Sequence, residues 1–494
     1  MSEQRLSLTT LDSLNPGIGS PGYDRSEITA GIAHFGVGGF HRAHQAMVLD
    51  TLMGQGLARD WGLVGIGVRT PDRSMRDALI PQDCLYTLTV KDMTEQRSRI
   101  LGSIVDFLYA PDDPEAVLSL LTSPAIRIVS LTITEGGYNF DQITGEFDWS
   151  HSDIVAELGR MSAPHTVFGF ITEALRRRRE RGIEPFTVMS CDNIPGNGHL
   201  AKKMFVSFAT KVDPELADWI TNSVAFPNSM VDRITPVTTP DDIAEAKVQT
   251  GLDDHWPVVS ETFFQWVLED YFPAGRPPFE KAGVQLVDDV EPYELMKLRL
   301  LNASHQGLAY FGHLMGFRLV HDAVNDTLIQ TLLRRYMVEE AQATLLPVPG
   351  VDLAAYQDML ITRFTNAEVK DTIARLCAES SDRIPKWLVP VIRERLSRGL
   401  DVSLSSAIVA SWARYAEGVD EEGNPIDVVD NLKVEVMASA HAQRNDPLAF
   451  IRNEKLFGDL ARHEDFTTPF LQTLELLHQH GARATLAVLL AEEN

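Results

Sequence analysis

A short apolar stretch, Gly31-Ile32-Ala33-His34-Phe35, runs straight into a glycine-rich turn, Gly36-Val37-Gly38-Gly39-Phe40, and then into helical sequence from about His41 to Met53. That order constrains the fold strongly. In a dinucleotide-binding domain the glycines let the backbone approach a pyrophosphate, and the helix N-terminus faces it. Gly36, Val37, Gly38, Gly39 and Phe40 are therefore the candidate cofactor-binding loop. The fingerprint is imperfect, because the third position of G-x-G-x-x-G falls on His41. A second apolar run, Trp61–Val68, fits a buried parallel strand. The acidic residue expected near its end, against the adenosine ribose, is Asp72. A helix N-cap is the plainer role for the same side chain, and one carboxylate can serve both. Arg69 and Arg73 could instead meet a 2′-phosphate, so these residues favour NAD over NADP without excluding the latter.

Further strands are expected at Ile126–Ile133, Pro185–Cys191, Trp256–Glu261 and Val284–Val287, with a mixture over residues 84–108. Helices are expected at Thr166–Arg181, where Arg176–Arg179 reads as a solvated face, and at Lys202–Lys211. Residues 1–30, polar and rich in Gly and Pro, should wrap the surface. Strands alternating with helices predict a doubly wound α/β sheet. Strand ends carry ligand in such sheets, which marks Thr134-Glu135-Gly136-Gly137 after one strand and singles out Asn193, within Asp192-Asn193, after another. Asp-Asn before Ile-Pro is also good turn chemistry. Asp232 follows a further apolar stretch.

Strand signals fade after about residue 287. Helical periodicity then takes over, at 291–316, 326–345, 353–360, 366–379, 386–396, 402–417, 447–461 and 468–493. The expected division is a Rossmann-type domain over 1–287 and a mostly α-helical domain over 288–494. The first of these helices carries Lys297, Asn302 and His305 inside a largely apolar run. At ~100° per residue, Lys297 and Asn302 lie about 140° apart with His305 between them. Each polar residue alone has a bland explanation: lysines snorkel to water, and Asn and His satisfy local hydrogen bonds. Three on one side suggest more. A buried lysine is costly unless it is paired or its pKa falls, and a lysine so shifted is a good general base. An adjacent amide can donate to an oxyanion, and an imidazole can hold a hydroxyl. Tyr293-x-x-x-Lys297 also matches the Tyr/Lys pair of short-chain dehydrogenases, but those chains are about half this length and carry the pair much nearer the start.

The formal net charge of −25 over 494 residues argues against nucleic acid or anionic membrane as the main partner. Three scattered cysteines fit a reducing, cytoplasmic setting. The N-terminus lacks signal-peptide order, and no apolar run is long enough to span a bilayer. No Cys or His cluster has zinc-ligand spacing. His41 and His44 lie three apart without a carboxylate or Cys to complete a metal site.

Several long segments together resemble the polyol-specific long-chain dehydrogenase/reductase family, and within it the branch acting on mannitol. They are Gly31–Ala46, Ile126–Tyr138, Phe186–Asn193, Phe226–Pro236, Glu269–Glu280 and Pro292–His305. The resemblance covers nearly the whole chain. It implies metal-independent, NAD-dependent oxidation of a secondary alcohol, D-mannitol to D-fructose and the reverse. It further implies Lys297 as general base, Asn193 and Asn302 as an oxyanion hole, and His305 orienting substrate. Arg375 would bind substrate hydroxyls, Asp232 would line the site, and Glu135 and Glu294 would flank a proton-carrying water chain. A monomer is implied. Pro71 replaces the first of an acidic pair, leaving Asp72 alone, and Ala303 replaces a glycine. Fructuronate or tagaturonate reductases and arabinitol or sorbitol dehydrogenases belong to the same superfamily. A uronate would need a cation, for which Arg375, Arg383 and Lys386 are available. A non-catalytic dinucleotide sensor would leave the Lys/Asn/His/Asn set idle.

Overall fold

The computed structural model describes residues 4–141, 144–159 and 163–491. The chain divides into two compact units, Met1–Val290 and Glu291–Asn494.

The first unit is built on five parallel strands: β1 (Ala30–Phe35), β2 (Gly62–Gly67), β3 (Ile104–Tyr109), β4 (Ile128–Leu131) and β5 (Thr187–Ser190). Their spatial order is β3-β2-β1-β4-β5. Every residue of β2, β4 and β5 is buried, which explains their unbroken apolar character. Successive residues point to opposite faces. Ile128 and Met189 accordingly join one core with Leu49, Leu52 and Met53, while Val129 and Val188 join another with Leu121, Phe170 and Ile171. The chain builds outward from β1 in one direction, then returns to build in the other. The gap between the ends of β1 and β4 is thus the topological switch point, where such sheets take ligand.

Several local expectations change. Residues 84–108 resolve into a hairpin, Tyr86–Lys91 with Gln96–Leu101, and the start of β3. The strands after residue 228 leave the main sheet. Ser229–Asp232 pairs antiparallel with Gln265–Glu269, and Val258–Ser260 pairs with Tyr86–Lys91. The helix expected over 41–53 is two, Gly39–Ala43 and Gln45–Gly54, broken at His44. Arg176–Arg179 is not simply a solvated face. Arg178 is buried and donates to the carbonyls of Leu121, Ser123, Ile126 and Glu184. Arg176 and Arg177 pair with Glu173. Nor does the N-terminal segment only wrap the surface, since Leu6 is fully buried against Leu85, Ile100 and Leu252.

The second unit is helical, around one core that includes Leu308, Phe311, Leu333, Ile392, Trp412 and Phe470. A helix at Lys433–Ala442 was not expected. The last long helix runs Glu464–Leu489 and kinks at Gly481, where φ is +78°. The end of the expected 468–493 helix, from residue 492, lies outside the described residues. Among the described residues no helix is long and apolar enough to cross a membrane.

Candidate active site

One candidate group of residues lies at the carboxyl ends of β1, β4 and β5. The turn after β1 requires glycine: Gly36 has φ +93°, and a Cβ there would lie 2.0 Å from the Thr132 carbonyl oxygen. The Thr132 hydroxyl donates to the Gly36 carbonyl at 2.7 Å, and the Gly38 N–H donates to the same oxygen. These bonds stitch the end of β1 to that of β4. Gly38 then caps the helix starting at Gly39, and a Cβ on Gly38 would meet nothing nearer than 3.8 Å. Val37 turns its side chain into the core against Gly65, and the Phe40 ring stacks on His44. This tight, side-chain-free turn leading into a helix fits a dinucleotide pyrophosphate.

His41, at the fingerprint's missing glycine, lies flat on His34 of β1 with ring centroids 3.4 Å apart. Burial holds His34 down to about 3 and His41 well below the ordinary histidine range. Two neutral rings can stack where two imidazolium ions would repel, so the pair fills the strand–helix contact that glycine usually closes. His44 packs on Phe264 and Trp266, with Nε2 3.2 Å from the Gln265 carbonyl. Among the described residues no three His, Cys, Asp or Glu side chains gather as metal ligands.

Asp72 is the first residue of the helix Asp72–Leu79, whose N-cap position is Pro71. It does not act as that helix's cap. One carboxylate oxygen instead accepts the N–H groups of Val68 and Arg69, both at 2.9 Å, and closes the turn after β2. Its other oxygen suits a ribose hydroxyl. Arg73 is drawn to Asp112 and lies over the Tyr109 ring, which weakens the case for a 2′-phosphate.

Beyond β4 the backbone is strained. Thr134 has φ +63°, a conformation that β-branched residues rarely adopt. Asp192, directly after Cys191, holds it there. Its carboxylate accepts the N–H groups of Ile133 (3.1 Å) and Thr134 (2.8 Å) and the Tyr138 hydroxyl (2.8 Å). Burial pushes the Asp192 carboxyl up to about 6. Half-buried Glu135 sits in the turn so fixed, and Asn193, which is exposed, follows Asp192 beyond the end of β5. Asn197 Nδ2 donates to the carbonyls of Asp192 and Ser229, tying in the strand that ends at buried Asp232. The neighbouring Asp-Asn turn pointed to this region, but the role of Asp192 as holder of the β4 turn was missed.

The helical unit carries a candidate group of its own. The expected helix is present but not regular. It runs as α-helix over Glu291–Met296, as π-helix over Lys297–Asn302, and as α-helix again over Ala303–Leu314. The Ala303 N–H donates to the carbonyl of Leu298, five residues back. A wide turn closed at five residues sets residue i+5 nearly above residue i, so Lys297 and Asn302 stand closer in direction than the 140° of a regular α-helix. Lys297, Asn302 and His305 are all buried, at 5–6% exposure. Asn302 Oδ1 and His305 Nε2 are buried atoms with no hydrogen-bond partner among the described residues, an arrangement that calls for a polar ligand. Burial, and then the cations Arg375, Arg363, Arg383 and Lys297, hold His305 well below the ordinary histidine range. Its ring is neutral at working pH. Arg375 is held by Asp371 through two bonds of 2.6 and 2.5 Å. Lys386 is bound by Asp382 at 2.6 Å, and Arg383 donates to the carbonyls of Arg375 and Leu376. Buried Arg363 is a member of this cluster that the sequence did not reveal. Glu294 is half-buried one turn before Lys297. The Tyr293 hydroxyl donates to the Pro349 carbonyl.

The model of the Mannitol dehydrogenase Rossmann domain matches residues 30–281, and that of the Mannitol dehydrogenase C-terminal domain matches residues 289–478. A mannitol 2-dehydrogenase of Phaeosphaeria nodorum is 44% identical over 471 residues, covering 94% of this chain and 82% of the relative. Among solved structures, the Pseudomonas fluorescens mannitol 2-dehydrogenase in ternary complex with NAD and D-mannitol superposes with a TM-score of 0.91. It is 43% identical, with 99% of this chain and 100% of that one covered. A D-sorbitol dehydrogenase in substrate-free form gives a TM-score of 0.90 at 37% identity, covering 98% and 100%.

Proposed function

The chain belongs to the mannitol dehydrogenase family, and from that premise we propose that it is an NAD-dependent mannitol 2-dehydrogenase interconverting D-mannitol and D-fructose. The observation that carries this reading is the buried Lys297, Asn302 and His305 set, with unpartnered polar atoms on Asn302 and His305 suited to a polyol. In the proposed chemistry Lys297, in its neutral form, takes the proton from the reacting hydroxyl. Amide groups of Asn302 and Asn193 donate to the oxygen as charge develops on it; such donors contribute ~3 kcal/mol each. Neutral His305 holds a substrate hydroxyl. Arg375, fixed by Asp371, offers its remaining N–H groups to others, and Asp232 lines the site. Glu135 and Glu294 flank a water route carrying the proton from Lys297 to solvent. NAD, when bound, supplies the hydride acceptor. Gly36, Val37, Gly38, Gly39 and Phe40 would cradle its pyrophosphate, and Asp72 would take a ribose hydroxyl. The division of labour is nucleotide binding in 1–287 and substrate binding with proton transfer in 288–494. A monomer in the cytoplasm is part of the same proposal.

The second reading is a related polyol dehydrogenase acting on sorbitol or arabinitol. It is favoured by the close structural likeness to a D-sorbitol dehydrogenase. A fructuronate or tagaturonate reductase is weaker, because two of the three cations available for a carboxylate are already engaged by Asp371 and Asp382. The deciding experiment is a spectrophotometric panel of NADH and NADPH against D-fructose, D-fructuronate, D-tagaturonate, L-sorbose and D-xylulose. Fast NADH oxidation with fructose supports the proposal. Turnover confined to a uronate, or cofactor binding without turnover on any of these, overturns it.

A further inference from the structure

The wide turn that carries Lys297 is clamped at one residue from two directions. Arg299 lies inside the turn. Its carbonyl accepts the Tyr336 hydroxyl at 3.2 Å. Its mostly buried guanidinium donates to the Thr344 carbonyl and pairs with Glu394 at 2.8 Å. Tyr336 is itself fully buried. It opens a second π-helical turn, Tyr336–Ala341, in which the Gln342 N–H again donates five residues back, to Met337. A hydroxyl–carbonyl bond therefore joins these two wide turns. π-Turns of this kind are rare and concentrate at functional sites, because they disturb the regular ladder and need outside partners to persist.

We infer that Tyr336 is a positioning residue for the proton-transfer step: its hydroxyl, with Arg299 and Glu394, holds the turn wide and so keeps the Lys297 amine and the Asn302 amide on one side of the helix. Were the turn to tighten into regular α-helix, Asn302 would swing toward ~140° from Lys297. The base and the oxyanion donor would then no longer address the same oxygen. Tyr336 itself touches neither substrate nor cofactor in this account. The inference rests on Lys297 being the base.

The test is Tyr336→Phe, which keeps the ring and removes only the hydroxyl. For D-mannitol oxidation with NAD, kcat should fall between about tenfold and a hundredfold, the range of a misplaced catalytic group. NADH affinity should be unchanged. The inflection of the kcat–pH profile should move to higher pH, as Lys297 gains access to water. The pH dependence of Lys297 acetylation by acetic anhydride, read by mass spectrometry, should move the same way. Glu394→Gln, which weakens the other arm of the clamp, should shift both profiles in the same direction and replaces the first variant if that one does not fold. Profiles that coincide with the wild type overturn the inference, whatever happens to the melting temperature. A wild-type protein that does not oxidise mannitol sinks the functional proposal instead, and the acetylation profiles then decide the positioning claim alone.

Discussion

The sheet unit and the helical unit fix their polar groups by opposite means. At the sheet, Asp192 holds a strained turn through strand adjacency: a carboxylate at the end of β5 binds two amides, 59 and 58 residues back in the chain, at the end of its neighbour β4. In the helical unit the wide turn is held across packed helices instead of across paired strands. Its clamps come from Tyr336 and Glu394, 37 and 95 residues further along the chain. One half is organised by strand adjacency, the other by packing between distant helices. Chemistry at the sheet edge should therefore fail through single contacts. Chemistry at the helix should fail through shifts of a whole turn.

The largest expected effect removes the proposed base. Lys297→Ala should lower kcat by about three to four orders of magnitude, with NADH binding, followed by fluorescence titration, nearly unchanged. Unchanged turnover would remove Lys297 from the mechanism. A smaller effect isolates the sheet half. Asp192→Asn puts an amide donor against the N–H groups of Ile133 and Thr134, so the turn carrying Glu135 should open. We expect kcat to fall by about tenfold to a hundredfold with the pH inflection assigned to Lys297 in place. A shifted inflection would mean that the two halves are not separable in this way.

The smallest effect is on stability. Burial pushes the Glu340 carboxyl up to about 7, even though it accepts the N–H groups of Leu404 and Ser405 at the start of the helix Ser403–Tyr415. Asp192 is raised to about 6. A raised carboxyl binds its proton more tightly folded than unfolded. Its contribution is full below the unfolded pKa of about 4 and is lost as pH rises through the folded value. Denaturant stability should thus decline between about pH 4 and 7, with Glu340 responsible for at most about 3 kcal/mol. Glu340→Gln should flatten that decline, and an unchanged slope in the variant would show that other groups set it.

What the sequence disclosed follows the same divide. The glycine turn, the Asp192-Asn193 turn and the placement of Glu135 were legible because strand, turn and strand end are written in consecutive residues. Lys297, Asn302 and His305 were legible as polar residues within an apolar helix. Their true relation was not, since regular periodicity on both sides hides a turn closed five residues back. Arg178 misled for a similar reason. It stands in a run of arginines, and only the carbonyls of Leu121, Ser123 and Ile126, more than 50 residues away in sequence, reveal that it is buried. Strand β3 was blurred because Asp106 interrupts its apolar run and only pairing to β2 makes it a strand. The His34–His41 stack shows the converse: a broken fingerprint that the fold repairs with two rings.

The wide turn at Lys297–Asn302 also changes how relatives of this chain should be compared. A π-turn holds one residue more than the α-turn it replaces, so a homologue lacking a single residue between these two positions would align with one small gap and an otherwise intact helix. Such a gap usually passes as noise. Here it would mark a homologue whose regular α-helix keeps the two positions on one side, four residues and ~40° apart, so that everything from Ala303 onward keeps its facing without the wide turn or the contacts that hold it.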